Sequence, residues 1–172
     1  SCPVTELDPG ASTDCTGTGE VGLFGPYRNT GTATAVGQYT AGVATGDDTW
    51  SVDVDPYDTG VVIDKDAPEV SEGTVRPNTE IEWHYTVTNV GEEDVRNVLV
   101  VDDQGVLVAC PANELAAGAS MVCVGTGSVG DSEGVYTNVG TVSAETALTD
   151  TPVTDEDSWS VQVRELIPGI SL

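Results

Sequence analysis

Four cysteines come in two pairs of equal spacing, Cys2 with Cys15 and Cys110 with Cys123, each with twelve residues between its members. Four thiols can be joined in three ways. Zinc is poorly served, because no histidine accompanies the pairs and neither has the short spacing of a metal knuckle. Carboxylates are the second group. Asp53, Asp55 and Asp58 crowd a Pro/Gly segment, Asp64 and Asp66 follow closely, and the Asp102-Asp103 turn could reach the same pole of the molecule. Hard oxygen ligands gathered at a bend suit Ca²⁺, which tolerates six to eight oxygens in irregular geometry. The spacing is not that of an EF-hand, whose fixed loop is absent. Ca²⁺ is the one cofactor with a physical case here. His84, the only histidine, has glutamates at 80 and 82 and no serine or cysteine arrangement beside it. It offers no catalytic constellation.

The elements that position these groups are repeated. Cys2, Leu7, Gly10, Ser12 and Cys15 recur 108 positions later as Cys110, Leu115, Gly118, Ser120 and Cys123. After a one-residue insertion, Tyr27, Asn29, Gly31, Trp50, Ser51, Val52 and Val54 recur 109 later as Tyr136, Asn138, Gly140, Trp159, Ser160, Val161 and Val163. Such self-similarity marks two copies of one module. Each copy then carries its own bridge, which selects Cys2–Cys15 and Cys110–Cys123. Bridges this local stabilise by roughly 3 kcal/mol each and fit an oxidising compartment.

The second copy has about fifty residues ahead of its first cysteine, and the first copy has one. The organisation expected is half a module over 1–54, a linker over 55–60 and a complete module over 61–163. The tail, 164–172, resembles the linker and first strand of a next module. The short linker predicts modules held end to end.

Twenty-nine acidic residues against five Lys plus Arg give a formal charge of −24. Nucleic acid is thereby excluded as a partner, since its phosphates would be repelled. No apolar run is long enough to enter a membrane directly. Val, Thr and Gly dominate, which favours strands and turns, and no apolar stripe recurs at helical spacing.

Strand signals recur along the whole chain. Trp50, Val52 and Val54 alternate with polar residues, and so do Ile81, Trp83, Tyr85 and Val87. Val95 to Val101 reads as a further strand, and its continuous apolar core, Val98 to Val101, predicts burial on both sides or a central place in a sheet. Three Asn-X-Gly triplets, at Asn29, Asn89 and Asn138, predict strand ends or bulges where Asn bonds to local backbone. At the first of them the strand from Tyr27 to Val36 is expected to break, with Gly31 at positive φ. About seven strands need two layers. The fold class expected is all-β, with Ig-like antiparallel β-sandwich modules, the second complete and the first lacking its N-terminal strands.

Cys110, Leu115, Ala117-Gly118-Ala119-Ser120, Cys123, Tyr136-Thr137-Asn138 and Trp159-Ser160-Val161, preceded by Tyr85 to Gly91, are the residues in point. With them the chain resembles the DUF11/CARDB-like class of Ig-like tandem repeats of prokaryotic surface proteins. The resemblance implies a secreted or wall-attached protein without a catalytic role, arranged in long arrays. The expected partners are neighbouring repeats or further copies of the chain. Two structural readings follow: a cell-surface spacer, or a fibre protomer assembling by β-strand complementation. An adhesion module is the alternative, with Phe24, Tyr39 and Tyr57 as the aromatic residues that could meet a ligand.

Overall fold

The computed structural model describes residues 1–70 and 73–165. The tail expected to open a next module lies, from residue 166 onward, outside the described residues. The chain divides into two compact units, Ser1–Pro56 and Tyr57 onward.

The first unit is built on one long antiparallel hairpin, β1 (Gly25–Val36) and β2 (Val43–Val54). Its register runs without a break from Gly25↔Val54 to Val36↔Val43. The break expected at Asn29 to Gly31 is absent: Gly31 keeps ordinary strand backbone and pairs with Asp48. β1 and β2 bury almost nothing; Trp50 is 60% exposed.

The second unit contains β3 (Val61–Asp66), β4 (Thr74–Val75), β5 (Glu80–Asn89), β6 (Val95–Asp102), β7 (Glu114–Leu115), β8 (Ser120–Ser128), β9 (Gly134–Thr146) and β10 (Pro152–Val163). They form two sheets, β3-β5-β8 and β4-β10-β9-β6-β7. The first strand pairs antiparallel with β5, and the chain then crosses to the other sheet, where β4 runs parallel to the last strand. That switch, with the remaining pairs antiparallel, is an Ig-like sandwich.

The core lies between the sheets because the inward phase of each strand is apolar. Ile81, Trp83, Tyr85 and Val87 of β5 are all essentially without exposed surface. They meet Val95, Val98, Val100, Val142, Ala144, Val161 and Val163 of the facing sheet. Large aromatic and branched side chains buried this way contribute roughly 1.5–3 kcal/mol each. β6 meets one of the two alternatives expected of it. It does hold an interior place, between β9 and β7, but only one of its faces is buried. Leu99 and Val101 are more than half exposed. A register shift between Arg96 and Leu99, with Asn97 at φ 55°, resets the alternation so that Val95, Val98 and Val100 all face inward.

The segment before β3 is tied to its own unit. The Asp58 N–H donates to Glu92 Oε2 at 3.1 Å, and the Asp58 carbonyl accepts the Glu92 N–H at 2.8 Å. Gly91 is required there, since a Cβ would come within 2.9 Å of the Asp58 carbonyl oxygen.

Candidate functional site

The centre of the sandwich holds a polar cluster among aromatic rings. Lys65 is the only lysine of the chain. Strand alternation places it on the inward phase of β3 with Val61 and Ile63. Its strand is an edge of the smaller sheet, so the N–H groups of that edge need partners. Asp155 and Asp157 of β10 supply them: Ile63 N–H donates to Asp155 Oδ2 at 2.9 Å, and Lys65 N–H to Asp157 Oδ2 at 2.8 Å. The side chain then runs into the core.

There the Lys65 Nζ donates to Asp102 Oδ2 at 2.9 Å, and both side chains have no exposed surface. The ammonium lies 3.8 Å from the Tyr85 ring centroid and 4.5 Å from that of Trp83. The Tyr85 hydroxyl donates to the same carboxylate oxygen at 2.5 Å, while Gln104 N–H donates to Oδ1 at 2.9 Å. Tyr85 can lean across only because β9 has glycine beneath it: a Cβ on Gly140 would lie 2.8 and 2.9 Å from two carbons of the ring. Gly140 also pairs with Asp102 in the ladder.

Two residues from Gly140, at the adjacent inward position of the same strand, is Asn138, which has no exposed surface. It pairs across the ladder with Trp159, whose ring meets Trp83 edge-on with centroids 5.1 Å apart. Its Nδ2 lies 3.5 Å from the Tyr136 hydroxyl, and its Oδ1 has no hydrogen-bond partner. Tyr136 in turn stacks on Trp83 at 6.3 Å. An orphaned buried carbonyl oxygen costs about 1–3 kcal/mol. Trp83 is thus the common wall of the lysine and asparagine environments.

Electrostatics follow from this burial. Desolvation pushes the Lys65 ammonium below the usual lysine range, against the pull of Asp102. Burial alone would raise the Asp102 carboxyl, but hydrogen bonds from Tyr85, Lys65 and the Gln104 N–H outweigh it and hold the group below the ordinary aspartate value. Burial, and then the bond to Asp102, pushes the Tyr85 hydroxyl up. Chemically the cluster offers an amine, a carboxylate in contact with it and a carboxamide, in surroundings that exclude water.

Asp102 is among the carboxylates expected as calcium ligands. Its carboxylate faces the core and is taken up by Lys65, Tyr85 and Gln104, so an ammonium stands where a cation would. Asp64 and Asp66 take the outward phase of β3, and Asp66 Oδ1 accepts the Ala67 N–H at 2.7 Å. Asp103 is exposed and accepts the Val139 N–H at 2.8 Å. Asp58 is exposed in the segment before β3. Asp53, opposite Pro26 in the hairpin, and Asp55 are exposed residues of the first unit. Among the described residues, no group of three or more His, Cys, Asp or Glu side chains is placed to hold a metal ion.

Both disulfides form as expected, Cys2–Cys15 and Cys110–Cys123, each with Cα atoms 4.2 Å apart. Cys123 is fully buried opposite Tyr85 in the β5–β8 ladder, so its bridge ties the loop after β6 into the core. His84 lies 3.0 Å from Glu82 on the outer face of β5.

Asn89 bears out the turn reading of its triplet: at the end of β5, its Oδ1 accepts the Gly91 N–H at 3.0 Å. Asn29 and Asn138 do not, for each lies within an unbroken ladder. Lys65 was missed altogether. The signal was present, because a lone lysine on the inward phase after Val61 and Ile63 breaks the binary pattern of an edge strand.

No family model and no curated protein matches this sequence. Among solved structures it is similar to a crystal structure of native alpha-2-macroglobulin from Escherichia coli spanning the residues from domain MG7 to the C-terminus. The likeness has 15% identity and a TM-score of 0.45, and covers 62% of this chain and 17% of that one.

Proposed function

We propose that the protein is a non-catalytic structural repeat of an extracellular array, of the DUF11/CARDB-like kind that its sequence resembles. In this reading the open hairpin of the first unit is completed by strands equivalent to β3, β4, β5 and β6. The observation that carries it is the register of that hairpin. Tyr27↔Val52, Asn29↔Trp50 and Gly31↔Asp48 in β1–β2 reproduce Tyr136↔Val161, Asn138↔Trp159 and Gly140↔Asp157 in β9–β10.

In the second unit the inner face of this hairpin is closed by the other sheet, with Val161 3% and Val163 1% exposed. In the first, Val52 is 37% and Trp50 60% exposed. A face patterned for burial and left open calls for a cover of known shape. The two disulfides suit an oxidising compartment, and the acidic surface suits a solvated exterior. Among the described residues, no helix is long and apolar enough to cross a membrane.

Light scattering over a concentration series, with hydrogen exchange followed on β1 and β2, tests where the cover comes from. Association that protects both hairpin strands supports supply by a second copy, as in a fibre. A monomer with an unprotected hairpin assigns the cover to an adjoining repeat of the same polypeptide, as in a spacer. Association that leaves the hairpin unprotected would overturn strand complementation.

A further inference from the structure

We propose that Lys65 and Asn138 are joined by an intramolecular amide between Nζ and Cγ, formed with Asp102 as the proton-transferring group. The bond would tie the first strand of the sandwich to β9 of the opposite sheet, across the core.

Independent observations converge on these residues. The chain's only lysine is wholly buried and in contact with a carboxylate at 2.9 Å. Asn138 is wholly buried, and its carboxamide oxygen, like the Nε1 of Trp83 in the same cluster, has no hydrogen-bond partner, so no contact of that oxygen opposes its reaction. Both environments share the Trp83 ring, with Tyr85, Tyr136 and Trp159 completing an aromatic wall that keeps water out. Desolvation favours the neutral, nucleophilic form of the amine. Fixed placement in one core replaces the encounter that a reaction between free groups would need.

The steps balance without any added reactant. Asp102 accepts a proton from the Lys65 ammonium, and the freed Nζ lone pair attacks Asn138 Cγ, opening the carbonyl π bond onto Oδ1. Nζ then sheds a second proton, and the Cγ–Nδ2 bond breaks as the carbonyl re-forms. The two protons lost by lysine leave with the departing nitrogen as ammonium, relayed through Asp102, which ends as the carboxylate it was. The new amide keeps one N–H.

The test is intact mass spectrometry of the full chain, purified folded and then denatured and reduced. The expected mass is that of the sequence less one ammonia. Amine-reactive label should then add at the Ser1 terminus alone, because Lys65 is no longer an amine. Trypsin should leave the peptide containing Lys65 joined to that containing Asn138 after cleavage at Arg96. Asn138→Ala and Asp102→Ala should restore the full mass and a second labelled amine, and Asn138→Asp should lose water in place of ammonia. The unmodified wild type carries the decision even where a variant fails to fold. Full mass with two labelled amines overturns the proposal, as does loss of water from the wild type, which would put the bond on Asp102 instead.

Discussion

Replacing Gly140 with alanine should destabilise the second unit, while the same change at its repeat partner Gly31 should not. A Cβ at Gly140 would meet Cδ1 and Cε1 of Tyr85 at 2.8 and 2.9 Å. Carbon atoms in contact prefer about 3.5–4.0 Å, so the ring must retreat by well over half an ångström. It has little room to do so, being fully buried and tied by its hydroxyl to Asp102. Overfilling a closed core costs about 1–3 kcal/mol, and removing a glycine from a strand returns roughly 0.5–1 kcal/mol. The net loss is on the order of 1–2 kcal/mol, or a fall in melting temperature of roughly 5–10 °C for a unit of this size.

At Gly31 no heavy atom lies within 4 Å of the added carbon, so only the entropic gain applies. Thermal unfolding followed by near-ultraviolet circular dichroism on both variants checks this. Equal melting temperatures for the second unit in Gly140→Ala and in Gly31→Ala would refute the claim that Tyr85 is wedged onto Asp102 by the absence of a side chain.

Three further outcomes are expected. The low carboxyls of Asp102 and of Glu93, the latter buried and accepting hydrogen bonds from the Leu148 and Thr149 N–H groups and the Thr149 hydroxyl, are each held down by their hydrogen bonds against burial. They contribute stability that is complete above the unfolded carboxylate range of about pH 4 and is lost as pH falls below it. Urea midpoints from pH 7 to pH 2 should therefore hold steady and then drop, and a midpoint that rises below pH 4 would contradict the assignment. Replacing both Cys110 and Cys123 with serine should cost the second unit roughly 3 kcal/mol in urea unfolding, and an unchanged midpoint would show that the bridge adds nothing to the β5–β8 core. Calcium added after EDTA treatment should leave the melting temperature of the second unit unchanged, because the Asp102 carboxylate is buried and already takes hydrogen bonds from Tyr85 and Gln104. A rise of several degrees would restore calcium to the acidic segment.

Much of the fold was legible because strand patterning is local. The phase of Ile81, Trp83, Tyr85 and Val87 follows from period two alone, and all four are buried. The 109-residue repeat made the stretches Tyr27 to Val54 and Tyr136 to Val163 counterparts, and the registers of β1–β2 and β9–β10 agree residue for residue at the aromatic end. What was not legible depends on contacts made across the sandwich. Nothing near Asn97 in sequence announces that the backbone there will take φ 55° and turn β6 one-sided. Asp102 sits in a run of acids and looks like its neighbour Asp103, yet one faces Lys65 in the core and the other faces solvent. Likewise Asn29, Asn89 and Asn138 share a triplet, and only topology decides that the last lies inside a closed core while the second caps a strand.

The proposed function makes the first unit the closing hairpin of a module whose remaining strands lie on a neighbouring repeat. Because Ser1 and Cys2 correspond to Ala109 and Cys110, a copy of residues 57–108 placed ahead of Ser1 should complete that module. Hydrogen exchange across β1 and β2, measured with and without this extension, is the direct measurement. Protection rising to the level of β9 and β10, with Trp50 withdrawn from quenchers to the degree of Trp159, is the result expected. A hairpin that exchanges as freely with the extension as without it would contradict the claim.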